Sequence, residues 1–218
     1  MPRRYKLLIF DWDGTLMDSA AAIAASIRAA CEDLGLRVPT DAQARYIIGL
    51  GLQDALEHLL PEVDAETYPR LVDRYRHHFL VRDKGTSLFP GAAQAVRKLH
   101  AGGHLLAIAT GKSRRGLDRA LADTGLADVF HRTRCADEGY SKPHPGMLHC
   151  LLDELEVPAG EALMIGDTTH DMEMARAAGV DGLAVSYGAH GREALLESRP
   201  VACVECDEAL WRWLERHA

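Results

Sequence analysis

The sequence predicts an α/β fold, a doubly wound parallel sheet with an inserted, all-helical segment. Short apolar runs bounded by Gly or Asp recur along the 218 residues, and most are continuous rather than alternating. Continuous apolar runs are typical of strands that are covered on both faces. Segments with helical periodicity lie between these runs, and such an alternation of strands and helices predicts a parallel sheet.

The predicted elements alternate regularly along most of the chain. Strands are predicted at residues 5–10, 104–109, 129–135, 162–165, 182–186 and 201–204. Helices are predicted between them at residues 91–101, 114–124, 146–155 and 171–178. We therefore expect these segments to form the sheet and the helices that cover it.

The stretch after the first strand shows only helical patterns, at residues 19–34, 41–48, 53–60 and 65–81. Pro and Gly residues separate these patterns and mark the ends of the helices. We expect a helical insert at residues 18–85, directly after the first strand, and an α/β core made of residues 1–17 and 86–218.

The composition argues against two classes of binding partner, nucleic acids and membranes. The chain has 25 Lys and Arg against 32 Asp and Glu, a net charge of −7, which argues against binding to duplex nucleic acid or anionic lipid. No apolar run approaches the roughly 18 residues that span a bilayer. The apolar run near the N-terminus ends at Asp11, too early for a signal peptide. We expect a cytoplasmic protein with neither nucleic acid nor membrane as a partner.

Two carboxylates follow the first strand, in the motif DWDGTLMDS. Asp11 and Asp13 are two residues apart, so both can point to one face at the carboxyl end of the strand, where ligands bind in doubly wound sheets. Carboxylates this close repel each other unless a cation is present. The motif therefore indicates either a metal-bound acid pair or a simple turn at Asp13 and Gly14.

A second acid pair follows a later strand, in the motif GDTTHD. Asp167 comes directly after the strand, and Asp171 lies where a helix begins. Asp171 by itself is unremarkable as a helix N-terminal residue. Two acid pairs at strand carboxyl ends, however, suit a hard divalent cation such as Mg²⁺, which takes oxygen ligands.

Two further motifs are weaker. The strand at residues 104–109 runs into Thr110, Gly111 and Lys112, a turn that can cradle a phosphate or simply begin a helix. In the motif SKPHP, the prolines limit the backbone freedom around Lys142 and so fix where its amine points. A solvated lysine is the alternative.

Taken together, the four motifs resemble those of the haloacid dehalogenase-like superfamily. DWDGTLMDS resembles its DxDGTxxDS motif, ATGK its Thr/Ser motif, SKPHP its Lys motif and GDTTHD its GDxxxD motif, in the order of the family. The insert falls where the family has its helical cap domain. The segment RYIIGLGL is most similar to phosphoglycolate phosphatase-like members. The resemblance implies a Rossmann-like core.

The resemblance also implies a phosphomonoesterase that works through an aspartyl-phosphate. Asp11 would attack phosphorus, and Asp13 would act as general acid and then as general base. Mg²⁺ would be held by the Asp11 carboxylate, the Asp13 backbone carbonyl and Asp167. Asp171 would be a ligand, or would hold metal-bound water or the lysine of the SKPHP motif.

Other roles concern the substrate, a small phosphorylated metabolite. Thr110 and the Gly111 amide would hold the phosphoryl oxygens, and Lys142 would balance the shared negative charge. Lys112 would add charge near the phosphate or be a solvated lysine at a helix start.

Substrate choice is expected to lie in the cap. A contact loop is expected at Gly49, Leu50, Gly51 and Gln53, with Arg45 either binding a second anionic group or remaining a surface charge.

Several alternatives remain. Asp13 argues against a dehalogenase, because a halide leaving group needs no proton. A dehydrogenase lacks support, because no GxGxxG motif follows the first strand. A sugar-phosphate mutase or a pyrophosphatase of the same superfamily and a non-catalytic binding protein stay open, as do monomer and homodimer.

Overall fold

The computed structural model describes residues 4–218, and this part of the chain contains a six-stranded parallel sheet in the order β3-β2-β1-β4-β5-β6. The strands are β1 (Leu7–Phe10), β2 (Leu105–Thr110), β3 (Arg132–Cys135), β4 (Ala162–Gly166), β5 (Asp181–Val185) and β6 (Ala202–Val204). This order is that of a doubly wound sheet. The predicted fold class is confirmed.

The strand β1 lies at the centre of the sheet and is buried along its whole length. Its last residue, Phe10, pairs with Ile108 of β2 and with Ile165 of β4. The carboxyl ends of these three strands therefore meet at one edge of the sheet, so the residues that follow them are brought together.

Four helices form the insert: α1 (Ala20–Asp33), α2 (Asp41–Tyr46), α3 (Leu52–Leu59) and α4 (Tyr68–Asp83). They share an apolar cluster of their own, which includes Ile27, Leu56 and Leu71. The helix α2 begins at a capping box formed by Thr40 and Gln43. Residues 18–85, all of which the structure describes, contain no strand.

The remaining helices cover the two faces of the sheet. They are α5 (Ala92–Ala101), α6 (Arg114–Thr124), α7 (Gly146–Leu155), α8 (Thr169–Ala177), α9 (Arg192–Glu197) and α10 (Asp207–His217). Leu8 and Phe10 of β1 pack into one apolar cluster, and Leu7 and Ile9 pack into another. Side chains alternate between the faces of a strand, so β1 contributes to a core on each side.

Two of the differences from the predicted elements have clear local causes. The strand β3 begins at Arg132 rather than at 129, because Val129 and Phe130 pack into the core before the ladder with β2 starts at Ala107. The helix α8 begins at Thr169 rather than at 171, because Thr168 caps it. The helices α9 and α10 are not among the elements that the sequence patterns predict.

Within residues 4–218, the structure has no helix that is long and apolar enough to cross a lipid bilayer.

Candidate active site

A buried lysine joins two of the motifs at the edge of the sheet. Lys142 Nζ lies 2.9 Å from Asp11 Oδ1 and 2.6 Å from Asp171 Oδ1. None of the three residues is more than 2% exposed. Asp11 follows β1 and Asp171 lies in the first turn of α8, so the parallel sheet brings these carboxylates together. Lys142 is therefore not a solvated lysine.

The burial of these groups shifts their proton affinities. Burial raises the pKa of Asp11 to about 7; Lys142 opposes this rise, whereas the neighbouring carboxylates Asp171 and Asp13 add to it. Burial lowers the pKa of Lys142, but Asp11 and Asp171 outweigh this effect and leave it raised. Burial, Asp11 and Asp171 likewise raise the pKa of Asp167 well above its ordinary value. When all three carboxylates are ionised, the site thus holds more negative charge than one lysine balances.

Three carboxylates fit a metal ion. Asp11, Asp167 and Asp171 each offer an oxygen, and these oxygens lie within 4.8 Å of one another. Asp11 Oδ1 accepts from the Trp12 amide at 2.7 Å, whereas Asp11 Oδ2 is buried without a hydrogen-bond partner anywhere in residues 4–218. An unpartnered buried carboxylate oxygen is costly, and a cation would satisfy it. The cluster can therefore hold a divalent cation.

Asp167 is oriented by two donors. Thr15 Oγ1 donates to Asp167 Oδ1 at 2.9 Å, and the Ala189 amide donates to Asp167 Oδ2 at 2.7 Å. Both bonds favour the charged carboxylate and fix its direction.

Glycines permit the close approach of backbone to these carboxylates. A Cβ on Gly14 would lie 2.1 Å from Asp167 Oδ2, and the φ of Gly14 is +80°. A Cβ on Gly166 would lie 2.3 Å from Asp171 Cγ, and one on Gly188 would lie 2.3 Å from Asp167 Oδ2. These contacts exclude any side chain at the three positions without movement of the carboxylates.

Asp13, the second acid of the motif DWDGTLMDS, pairs with a lysine other than Lys142. Lys112 Nζ lies 2.9 Å from Asp13 Oδ1 and 3.0 Å from Asp13 Oδ2, and Ser19 Oγ donates to Asp13 Oδ1 at 2.7 Å. The side chains of Asp13 and Lys112 are each only 11% exposed. Lys112 Nζ also lies 4.9 Å from the centroid of the Phe79 ring of α4. Lys112 thus connects an acid of the core with the insert.

The predicted phosphate cradle lies under the insert. Thr110 ends β2 and is 1% exposed, and its Oγ1 accepts from the Lys112 amide at 3.2 Å. A Cβ on Gly111 would lie 2.4 Å from the carbonyl oxygen of Leu50 and 2.5 Å from that of Gly49. The loop between α2 and α3 therefore packs directly on Gly111.

Core side chains hold the same loop by its backbone. The Tyr46 carbonyl accepts from His170 Nε2 at 2.8 Å and from His190 Nε2 at 2.9 Å, since a carbonyl can only accept. The Gly51 amide donates to Ser141 Oγ at 2.9 Å. Residues 46–51, which we call the docking loop, are thus attached to the core near GDTTHD and SKPHP.

Two candidates of the insert have partners on their own helices. Arg45 Nε lies 2.8 Å from Asp41 Oδ2, and Gln53 Nε2 donates to Glu57 at 2.8 Å. Gly49 differs, because a Cβ there would lie 3.1 Å from Thr168 Oγ1, next to Asp171. The structure therefore brings Gly49 to the site, whereas Arg45 and Gln53 bond to carboxylates of the insert.

Comparison with known proteins identifies the family. The family model described as haloacid dehalogenase-like hydrolase matches residues 8–185, from β1 to the end of β5. The chain belongs to the haloacid dehalogenase-like hydrolase family.

Relatives extend over nearly the whole chain. A protein of Dickeya dadantii named "Probable phosphatase IndB" is 33% identical, over 91% of this chain and 89% of its own length. The phosphoglycolate phosphatase of Aliivibrio fischeri is 31% identical, over 89% and 90%. A solved hydrolase from Pseudomonas syringae has a TM-score of 0.89 at 23% identity, covers 98% of this chain and 99% of its own, and shows the same fold. The predicted family and phosphatase class are confirmed.

Several site residues of this haloacid dehalogenase-like hydrolase were not assigned roles from the sequence. Thr15 and Ser19 lie within the first motif and Thr168 within GDTTHD, so the motifs themselves were the available signal. Thr168 Oγ1 donates to Asp171 Oδ2 at 2.7 Å. His190 lies in no motif, and only the fold brings it to Tyr46.

Proposed function

We propose that the protein is a Mg²⁺-dependent phosphomonoesterase that hydrolyses a small phosphorylated metabolite through an aspartyl-phosphate. The observation that carries the proposal is the state of Asp11, whose Oδ1 is held by Lys142 and the Trp12 amide while its buried Oδ2 has no partner in residues 4–218. A carboxylate fixed at one oxygen and free at the other is suited to nucleophilic attack beside a cation.

The reaction has two displacements at phosphorus. In the first, an Asp11 oxygen bonds to phosphorus and the ester bond to the leaving group breaks, while Asp13 donates a proton to the leaving oxygen. In the second, Asp13 takes a proton from water as the water oxygen attacks phosphorus, and the bond to Asp11 breaks. Inorganic phosphate leaves and the Asp11 carboxylate is restored.

The carboxylates of Asp11, Asp167 and Asp171, with the Asp13 backbone carbonyl, would hold the Mg²⁺. The short distances among the three carboxylates support this ligand set. The ion supplies positive charge where the phosphoryl oxygens and the carboxylates would otherwise repel one another.

The remaining core residues bind and orient the phosphoryl group. Thr110 and the Gly111 amide would donate to its oxygens, from the end of β2. Lys142 keeps Asp11 in place and balances the charge shared by the nucleophile and the phosphoryl group.

We propose that residues 18–85 act as a cap domain on a core of residues 1–17 and 86–218. The packing of the docking loop on Gly111 leaves little room beside the phosphate site and favours a small substrate, in keeping with the phosphoglycolate phosphatases among the relatives. Gly49 would then shape the site. We also propose a cytoplasmic enzyme, monomeric or homodimeric, without a nucleic-acid partner.

The first test is hydrolysis of p-nitrophenyl phosphate with Mg²⁺, with excess chelator and after Asp11→Asn. We expect chelation to abolish turnover and the variant to retain less than about a hundredth of it, because the nucleophile is lost. Circular dichroism and thermal unfolding check that the variant is folded. Turnover above that level in folded Asp11→Asn would exclude Asp11 as the nucleophile.

A further inference from the structure

Two lysines lie at the site, and they are engaged differently. Lys142 is fixed between Asp11 and Asp171. Lys112 pairs with Asp13, and its amide donates to Thr110 Oγ1 in the turn after β2. Lys112 can therefore exchange its partner without releasing the nucleophile.

Aromatic side chains of α4 cover this ion pair. The Phe79 ring lies 4.9 Å from Lys112 Nζ, and the Tyr75 ring stacks on Phe79 with centroids 5.8 Å apart. Burial, with a further contribution from the charge of Asp13, raises the pKa of Tyr75, which places this ring in the field of the same carboxylate. Apolar rings exclude water, and an ion pair gains strength in such a medium.

Resting on the proposed phosphatase function, we propose that Lys112 is a specificity-determining residue that leaves Asp13 to bind a carboxylate on the leaving group of the substrate. The substrate class is then a small phosphate ester of a 2-hydroxy acid. Arg45, the other candidate for binding a second anionic group, pairs with Asp41 of its own helix.

The short distance between Lys112 Nζ and the Asp13 oxygens supports the proposed role of Lys112 in binding a substrate carboxylate. The leaving oxygen has to come within about 2.6–3.2 Å of an Asp13 oxygen to receive its proton. Lys112 Nζ already lies within 3.0 Å of both Asp13 oxygens. A carboxylate on the carbon next to the leaving oxygen is therefore within reach of the ammonium group. Its arrival replaces one carboxylate partner of Lys112 by another and frees Asp13 to contact the leaving oxygen.

The exchange also predicts selectivity against neutral esters. A neutral group in place of the carboxylate cannot balance the charge of Lys112. Lys112 therefore stays paired with Asp13, and Asp13 is not free to contact the leaving oxygen. A buried charge that loses its partner is strongly unfavourable. The ratio of kcat/KM for the charged ester to that for the neutral ester should therefore be larger than an exposed ion pair would give.

The experiment measures kcat/KM with Mg²⁺ for phosphoglycolate and for its uncharged amide in the wild-type enzyme and in three variants. We expect Lys112→Met to lower the ratio of the two kcat/KM values at least tenfold, with the change mainly in KM for phosphoglycolate. Lys112→Arg keeps the positive charge and should retain most of the ratio. Arg45→Met should leave the ratio unchanged.

Four results would overturn the inference. Two concern Lys112→Met: an unchanged ratio, or an equal loss of kcat/KM for both esters, which would mean that Lys112 acts only by placing Asp13. The others are a loss of the ratio in Arg45→Met and the absence of any preference in the wild-type enzyme. Each of these leaves the phosphatase proposal standing, because hydrolysis is still observed. A wild-type enzyme that hydrolyses no phosphate ester with Mg²⁺ would contradict the proposed function itself.

Discussion

Gly166 shows how closely the backbone approaches the carboxylates. The Asp171 carboxyl carbon occupies the place that a Cβ at residue 166 would need, at a distance of 2.3 Å. Asp171 is in turn tied to Thr168 and Lys142, so it cannot move without disturbing both. A single methyl group is therefore expected to disturb the carboxylates that we propose as metal ligands.

We predict that Gly166→Ala lowers phosphatase activity at least tenfold, raises the Mg²⁺ concentration needed for half-maximal activity, and destabilises the fold by about 1–3 kcal/mol through overpacking. Gly160→Ala is the matched control, because a Cβ there meets no atom within 4 Å. Urea unfolding and Mg²⁺ titration measure the effects. Equal behaviour of the two variants would show that the site tolerates the methyl group.

At the scale of elements, the docking loop connects the insert to the core through backbone groups. Its Tyr46 carbonyl accepts two histidine N–H groups, and the Tyr46 ring stacks on His190 with centroids 5.4 Å apart. Backbone attachment holds the loop in place whatever side chains it carries. The loop also covers Gly111, so its release would open the proposed phosphate cradle.

We predict that His170→Ala and His190→Ala each speed amide hydrogen exchange in residues 46–51 about fivefold, since one hydrogen bond contributes about 1 kcal/mol. Mass spectrometry of peptides across the loop measures the exchange, and the Gly51 amide bonded to Ser141 is the most informative group. His149→Ala, an exposed position on α7, is the control. Exchange unchanged from wild type in both variants would contradict this account of the loop.

Some strands and helices are easier to predict from the sequence than others, and the reasons lie in the residues of each element. The sequence predicts β1, although two residues too early, because Leu7–Phe10 are all apolar. The helix α8 was predicted to start late, since its cap Thr168 is a polar residue outside the apolar pattern. The strand β3 was predicted too long, since the buried Val129 and Phe130 resemble strand residues although they pair with no neighbour in the ladder.

At the scale of the whole molecule, the net charge of −7 includes a cluster of buried carboxylates. Burial raises the pKa of Asp11 from 3.8 to about 7, and that of Asp167 rises as well. Between these pH values the folded, metal-free protein keeps a proton on Asp11 that the unfolded chain has released. The stability from this group is complete below about pH 4 and is lost as the pH rises through about 7.

We predict that Mg²⁺ stabilises the protein more at pH 8 than at pH 5, because at the lower pH it has to displace the proton. The difference is on the order of a few kcal/mol for a shift of this size. Urea unfolding at both pH values, with Mg²⁺ and with chelator, measures it. Asp11→Asn should reduce the pH dependence, and an equal effect of Mg²⁺ at both pH values would contradict the prediction.

The sequence by itself determined the parallel sheet, the helical insert and the four motifs, since apolar periodicity and short motifs are local properties of the chain. Only the tertiary structure decided which charges meet. Lys112 and Asp13 are 99 positions apart, and His190 and Tyr46 are 144 apart. A lysine or a histidine carries no local sign of its partner, because that contact depends on how strands and insert pack together.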